Sequence, residues 1–406
     1  MIRKLSTDRL RVGMYVHALV GSWMNHPFWR TRFLIRSETE IAKILDAGIE
    51  DVYIDISKGL DDQESRGVEE ARREIESEIV AGVAVPEPEV PTIARRVSVA
   101  EELATARRIH GQAQQAIRGM MSEVRLGRAI SVDMVEPAVE AITGSLARNS
   151  SALLGMLGIK NKDDYTFQHS VSVGTLLMAF GRTLGLPEDE LREIGLGGML
   201  HDVGKMKVPD AVLNKPGRLT DEEYAVIKRH PVDGHAILVE TRGVGEVPLE
   251  ITLHHHERFN GRGYPDGLSG ESISRFSRMA AIVDVYDAIT ADRCYHKAML
   301  ATEALRRMWE WSANDFDRSL LQAFMKCIGI YPVGTVVRLE SGVIGVVVEQ
   351  NEESVLTPKV KAVFHSKSLR QLPPSVIDLA RSGDKIASTE SPERWPVDVV
   401  SHLTVA

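Results

Sequence analysis

The stretch that decides the fold is HHHERFNGRGYPDG, residues 254–267. Three consecutive histidines and a glutamate lead into a glycine-punctuated loop that closes on Gly263, Tyr264 and Pro265. Adjacent histidines make poor core residues, and a triple run ahead of a stiff turn points to something gripped there. Outward from this stretch, seven of the thirteen histidines fall between His169 and His256. Acidic residues accompany them: His201 and Asp202 are adjacent in LHDVGK, Glu257 follows His255 and His256, and Asp284 lies in the apolar string AIVDVYDA. His169 and His230 complete the set, in YTFQHS and KRHPVDGH. Each group stands on or at the end of a predicted helix, and a helical bundle can direct such residues inward to one metal centre.

The candidate ligands are imidazoles and carboxylates without a thiolate. That set suits iron, manganese, cobalt, nickel or zinc, and does not suit a structural zinc finger. In the His201–Asp202 pair, the carboxylate can bridge two cations through its two oxygens while the imidazole binds one of them. Two metals about 3.5–4 Å apart then share a hydroxide that attacks phosphorus in line. A single helical histidine is ordinarily a satisfied core or surface residue, and His235 and His254 stay in that class because each has a neighbour better placed as a ligand. Asp284 is harder to dismiss, since a buried carboxylate without a partner is costly. Lys205 reads either as a surface lysine near a helix C-terminus or, preferably, as the holder of a phosphate oxygen during attack.

Bulk composition narrows the class. A chain of 406 residues with 43% hydrophobic and 26% charged residues is that of a soluble globular protein of two or three domains. The net charge of −8 argues against broad nucleic-acid binding but leaves room for a local anion pocket. Cys294 and Cys327 are the only cysteines, too few for a disulfide framework or a cysteine zinc site. No secretory signal and no run of 18 apolar residues is present, so a cytoplasmic location is expected.

Four regions follow from texture. Residues 1–57 read as a small β-rich domain, with LRVGMYVHALV, RFLI and DVYIDI as strands, SWMNHPFW as a turn and TEIAKILDAG as a helix stopped by Gly48. Residues 58–100 read as a charged, partly helical linker containing PEPEVP. Residues 101–330 read as one helical domain, in which Val135, Val139, Ile142 and Leu146, then Val173, Leu176, Leu177 and Phe180, repeat at helix spacing. Thr220 with Glu223 forms a capping-box signature, and Pro248 suits the first turn of the helix before the triple histidine. Residues 331–406 read as a small β appendage, from GTVVRLE, GVIGVVVEQ and VKAVFH.

LHDVGK, KPGRLTDEE, HHERFNGRGYPDGLSGE and VDVYDAITADRCYHKA together resemble the HD-GYP subfamily of HD-domain metallohydrolases, from about Asp163 to Phe324. The N-terminal region resembles the small domain that often precedes it. The resemblance implies a mainly α fold: an all-helical HD-type domain with a small α/β N-terminal domain and a small β C-terminal appendage. It further implies a cyclic di-GMP phosphodiesterase that yields linear pGpG, and GMP where a second cut occurs.

Carried over by residue, the resemblance makes His169, His201, Asp202, His230, His255, His256 and Asp284 ligands of two divalent metals. It makes Lys205 and Asp202 catalytic, and Gly263, Tyr264, Pro265, Arg293 and Lys297 substrate-binding. It implies association with GGDEF-domain cyclases as a further property. The sequence departs from the family pattern at Tyr165, where some members carry a glutamate for a third metal, at Arg293-Cys294-Tyr295 in place of Arg-Pro-Tyr, and at Asn260, where aspartate is common. A two-metal site is therefore expected. Two rivals remain: a non-catalytic cyclic di-GMP sensor, and a hydrolase of another cyclic dinucleotide. No receiver-type acidic pocket is found, so phosphorylation control is not expected.

Overall fold

The computed structural model describes residues 2–20, 32–47, 49–62, 65–83, 96–157, 165–215, 217, 219–291, 298–312, 314–351, 354–395 and 397–404. The chain divides into two compact units, Met1–Val85 with Arg306–Arg318, and Pro86–Leu305 with Ser319–Ala406.

The first unit contains β1 (Ile2–Ser6), β2 (Tyr15–Val20), β3 (Phe33–Leu34), α1 (Glu38–Asp46), β4 (Asp51–Asp55), β5 (Arg66–Gly67) and α2 (Val68–Val83). Its antiparallel sheet has the order β3-β2-β4-β1-β5, with Leu5 opposite Val52 and Leu19 opposite the same residue from the other side. Met14, Val16, Ile35, Ile44, Val52 and Ile54 form its core. The strand at Ile2–Ser6 was not legible in the sequence because IRKLS alternates charge and apolarity over too few residues to stand out. Of the expected strand LRVGMYVHALV, Tyr15–Val20 forms the strand, and the preceding Thr7–Arg9 is a 3-10 turn. The segments SWMNHPFW, Gly48 and PEPEVP lie outside the described residues. Within the same unit, the Tyr53 hydroxyl donates to Glu310 Oε1 at 2.7 Å and Trp309 Nε1 donates to Glu78 at 3.1 Å.

Helices dominate the second unit: α3 (Val99–Arg125), α4 (Glu136–Leu157), α5 (Tyr165–Thr183), α6 (Glu188–Leu200), α7 (Asp210–Leu213), α8 (Asp221–Ile227), α9 (His230–Val239), α10 (Glu246–His254), α11 (Arg275–Thr290), α12 (Ala301–Trp311) and α13 (Arg318–Ile328). α12 and α13 each continue from one unit into the other. Local signals explain the boundaries. Ser98 and Glu101 form a capping box at the start of α3, and Thr220 and Glu223 form one at α8. Pro187 precedes α6, whose first turn carries Glu188, Asp189 and Glu190 against the positive end of the helix. α4 bends at Asn149, whose side chain accepts from Ala152 N–H and donates to the Val97 carbonyl, so it caps the second half.

The expected apolar repeats pack inward. Val139, Ile142 and Leu146 of α4 share one cluster with Ala106, Ile109 and Ile117 of α3. Phe180 of α5 is fully buried and meets Phe324 of α13 edge-on at 5.4 Å. Burying one such side chain is worth about 1.5–3 kcal/mol. The C-terminal part forms a second antiparallel sheet of order β10-β6-β7-β8-β9, from β6 (Val336–Leu339), β7 (Val343–Glu349), β8 (Lys359–His365), β9 (Arg370–Asp378) and β10 (Ile386–Thr389), with short helices α14 (Leu379–Ser382) and α15 (Val399–Thr404). β9 and β10 had no clear alternation: β9 carries Pro373 and Pro374 and is mostly exposed, as an edge strand tolerates. Among the described residues no helix is long and apolar enough to cross a membrane.

Candidate metal centre

Helix ends build the site. α5 carries His169; α6 ends at Leu200, so His201 and Asp202 stand where the chain passes into a 3-10 turn at Val203–Lys207. α9 begins at His230, α10 ends at His254 with His255 and His256 directly after it, and α11 carries Asp284 in its middle. Close backbone approach brings these ends together. A Cβ on Gly204 would stand 2.0 Å from the His230 carbonyl oxygen, so only glycine lets the turn after Asp202 press against α9.

Hydrogen bonds fix the orientation of four imidazoles. Nδ1 of His201 donates to the Gly198 carbonyl at 2.7 Å, that of His230 to Ile227 at 2.8 Å, and that of His255 to Thr252 at 3.0 Å. His169 Nδ1 donates to Asp287 Oδ2 at 2.7 Å. A carbonyl or carboxylate can only accept, so each of these Nδ1 atoms carries a proton, and in the neutral tautomer the lone pair sits on Nε2. Those lone pairs face one another and two buried carboxylates: His230 Nε2 lies 3.3 Å from His255 Nε2.

Each acid turns one oxygen to each of two histidine groups. Asp202 Oδ2 is 3.6 Å from His169 Nε2 and 3.3 Å from His201 Nε2, while its Oδ1 is 3.3 Å from His230 Nε2. Asp284 Oδ1 is 3.1 Å from His169 Nε2 and 3.9 Å from His201 Nε2, while its Oδ2 is 3.9 Å from His256 Nδ1. Among the described residues, two clusters have ligand atoms within 4.8 Å of one another, His169 with His201 and Asp202, and His230 with His255 and His256.

His201 Nε2, Asp202 Oδ1 and His256 Nδ1 are buried without a hydrogen bond of acceptable geometry, even though His230 approaches Asp202. Unmet buried polar atoms in such number are costly. Converging ligand atoms of which several lack a hydrogen-bond donor fit a cation, so the residues fit a metal.

The electrostatics agree with the geometry. Burial, then the charges of His201 and His230, holds His255 well below the ordinary histidine value. His256 is held well below it by burial and then by His255 and His230, and His230 is lowered chiefly by burial. Burial also lowers His201, but the charges of Asp202 and Asp284 outweigh it and raise the group. For Asp202 burial pushes upward, yet His201 and Lys205 dominate and hold the carboxyl well below its usual range. Asp284 behaves alike: burial opposes, and His169 with His256 prevails.

Lys205 Nζ donates to Asp202 Oδ2 at 2.5 Å and remains partly exposed. The GYP loop folds under the site. Glu257 is buried, and its Oε1 accepts from the Asp266 and Gly267 amides. A Cβ on Gly263 would lie 2.4 Å from Arg258 N and from Glu257 Cα, so this position admits only glycine without a backbone shift. Tyr264, joined to Pro265 by a cis peptide bond, stacks its ring on His256 at 4.7 Å and receives Lys228 Nζ at 4.6 Å from the ring centre. His254, set apart from the ligands in the sequence, lies between Glu250 and Asp266.

All seven candidate metal ligands thus converge, with Lys205 and Tyr264 beside them. Arg293, Cys294 and Lys297 lie outside the described residues, as does the side chain of Tyr165. Asn260 accepts from the Arg262 amide within the loop. One site residue escaped the sequence reading, Asp287 as the partner of His169, and Glu257, noted there beside the histidines, anchors the loop. Asp287 could have been found: it stands one helical turn after Asp284 in the same apolar string, so both acids share a face.

The family model of the HD domain matches residues 154–320, and a model described as a domain of unknown function (DUF3391) matches residues 2–135. The chain is 44% identical over 398 residues to the cyclic di-GMP phosphodiesterase PA4108 of Pseudomonas aeruginosa, covering 97% of this chain and 94% of that protein. It is 42% identical over 144 residues to the cyclic di-GMP phosphodiesterase response regulator RpfG of Xanthomonas campestris pv. campestris, covering 35% of this chain and 38% of that one. The 3'3'-cGAMP-specific phosphodiesterase 1 of Vibrio cholerae is 38% identical over 178 residues, or 44% of this chain and 41% of its own length.

Proposed function

We propose, for a chain that belongs to the HD-GYP family of HD-domain proteins, that it is a metal-dependent phosphodiesterase hydrolysing cyclic di-GMP to linear pGpG. One observation carries the two-metal form of this reading: Asp202 and Asp284 each direct one oxygen to each histidine cluster. His169 and His201 would hold one divalent cation, and His230, His255 and His256 the other, with the two acids shared. When bound, such a pair supplies Lewis acidity toward phosphate oxygens and makes water acidic enough to act as a nucleophile near neutral pH.

The chain's own residues do the rest. Backbone carbonyls and Asp287 hold the imidazole rings with Nε2 directed inward, which fixes the site before substrate arrives. Lys205 neutralises Asp202 and, being partly exposed, presents its ammonium where charge grows on the phosphoryl oxygens. Tyr264 covers one face of His256 and keeps water from it. Hydrolysis replaces one ribose 3′ oxygen on phosphorus with the oxygen of water, so the product carries a free 3′ hydroxyl and a terminal 5′ phosphate. Arg293 and Lys297 would grip the rest of the substrate, since an arginine can make paired contacts with phosphate or guanine.

Metal analysis combined with turnover assays on cyclic di-GMP and 3'3'-cGAMP tests the proposal, with wild type compared to Asp202→Ala. Rapid release of pGpG from cyclic di-GMP by the metallated wild type, lost in the variant, is the expected result. Binding without turnover by a fully metallated protein would make it a sensor. Faster cleavage of 3'3'-cGAMP would move the substrate to the hybrid dinucleotide, the activity named for the Vibrio cholerae relative.

A further inference from the structure

The four oriented imidazoles are not held alike. His201, His230 and His255 donate to carbonyls of their own or adjoining helical turns, from residues 3 or 4 positions earlier. His169 donates to a carboxylate from another helix, Asp287 of α11, 118 residues away, and both side chains are buried. A carboxylate behind an imidazole draws its proton and makes the opposite nitrogen a stronger donor than a neutral carbonyl does. Asp202 and Asp284 each turn one oxygen to either cluster, whereas Asp287 stands behind a single imidazole. Among the described residues, Asp287 is hydrogen-bonded to His169, a member of one cluster.

We propose that Asp287 is a positioning residue for His169 and makes the His169–His201–Asp202 cluster the tighter of two unequal metal positions, filled first and emptied last. This rests on the two-metal reading above, but its test needs no substrate. Metal-free protein is titrated with Mn(II), and free ion is followed by electron paramagnetic resonance. Wild type should bind one equivalent at least about 10-fold more tightly than the second. Asp287→Ala should weaken the first equivalent by about 10–100-fold and leave the second nearly unmoved. Asp287→Asn, which keeps the shape and one acceptor oxygen but not the charge, should recover part of the loss and guards against a folding defect in the alanine variant. His230→Ala should remove the weaker equivalent and spare the tighter one.

Two equal equivalents in wild type would overturn the proposal while leaving the two-metal reading intact. Equal weakening of both positions in Asp287→Ala and Asp287→Asn would also overturn it, since a charge acting through His169 alone cannot reach both. Failure of the wild type to bind Mn(II), Co(II) or Fe(II) would sink the metal reading and this proposal together.

Discussion

Helices α11 and α13 touch through Tyr286 and Phe324, edge-on at 5.2 Å. They are nonetheless built on different rules. α13 is amphipathic: Leu320, Leu321, Phe324, Met325 and Ile328 recur every three or four residues and are buried, while Ser319 is exposed. In α11 every residue from Met279 to Ile289 is buried, and that envelope includes Asp284 and Asp287. A helix with one apolar stripe is explained by packing. One buried on all sides that still keeps two carboxylates must satisfy them, and here the partners are the histidines of the site. The difference separates a helix that holds the fold from one that holds the chemistry.

Substitution should expose this contrast most strongly in turnover. Asp284→Ala removes one of the two shared acids, and if the site is worth several kcal/mol of transition-state stabilisation, kcat/KM for cyclic di-GMP should fall by on the order of 1000-fold, with the circular dichroism spectrum retained. Leu321→Ala should do the opposite. The side chain is fully buried, so stability should drop by about 2–5 kcal/mol in urea titrations while the rate per folded, metallated molecule stays within about twofold. A large rate loss from Leu321→Ala at full metal content would erase the distinction.

What the sequence disclosed follows the same division. Period carried the packing helices: Val173, Leu176, Leu177 and Phe180 of α5 sit in the core as their spacing implies. Residue type carried the site, because histidine beside aspartate has few structural uses, and the seven candidate ligands converge from five helices or helix ends. Position alone would not have united them, since His169 and Asp284 are 115 residues apart, counted from their numbers. Asp287 and the anchoring role of Glu257 went unread for a shared reason: both act by holding something else, and a residue that orients a neighbour has no signature until the neighbour's direction is known. β9 was hidden by its prolines, and β1 by its brevity.

A graded effect should appear with pH in the metal-free protein. His230, His255 and His256 have values held below the unfolded histidine value of 6.5, so the folded state keeps them neutral while the unfolded chain takes up protons below that pH. Their contribution is present above 6.5 and is lost as pH falls. His201, whose value is raised, works the other way, giving stability below 6.5 that fades as pH rises through its folded value. Asp202 and Asp284, held below 3.8, add a further loss as pH falls through that value and lower. Three histidines and two acids against one histidine give net loss on acidification. Tm of the metal-free protein should therefore fall as pH is lowered from neutrality, and saturating Mn(II) should raise Tm most near neutral pH, where protons compete least for the ligands. A metal-free Tm that rose on acidification would place the controlling charge elsewhere than around α11.

The smallest effect concerns how α11 begins. Ser274 Oγ accepts from the Ser277 amide at 3.1 Å, capping the helix, while Ser277 Oγ donates to the Glu250 carbonyl at 3.0 Å and ties α11 to α10. Ser274→Ala removes a cap worth about 1 kcal/mol, which urea titration can read. Asp284 stands almost three helical turns beyond the cap, inside the buried stretch that packing already fixes. Helix fraying at the first turn should therefore leave metal stoichiometry and turnover unchanged. If Ser274→Ala instead lowered metal content, α11 would be held straight by its cap rather than by its burial, and the difference drawn between α11 and α13 would lose its physical basis.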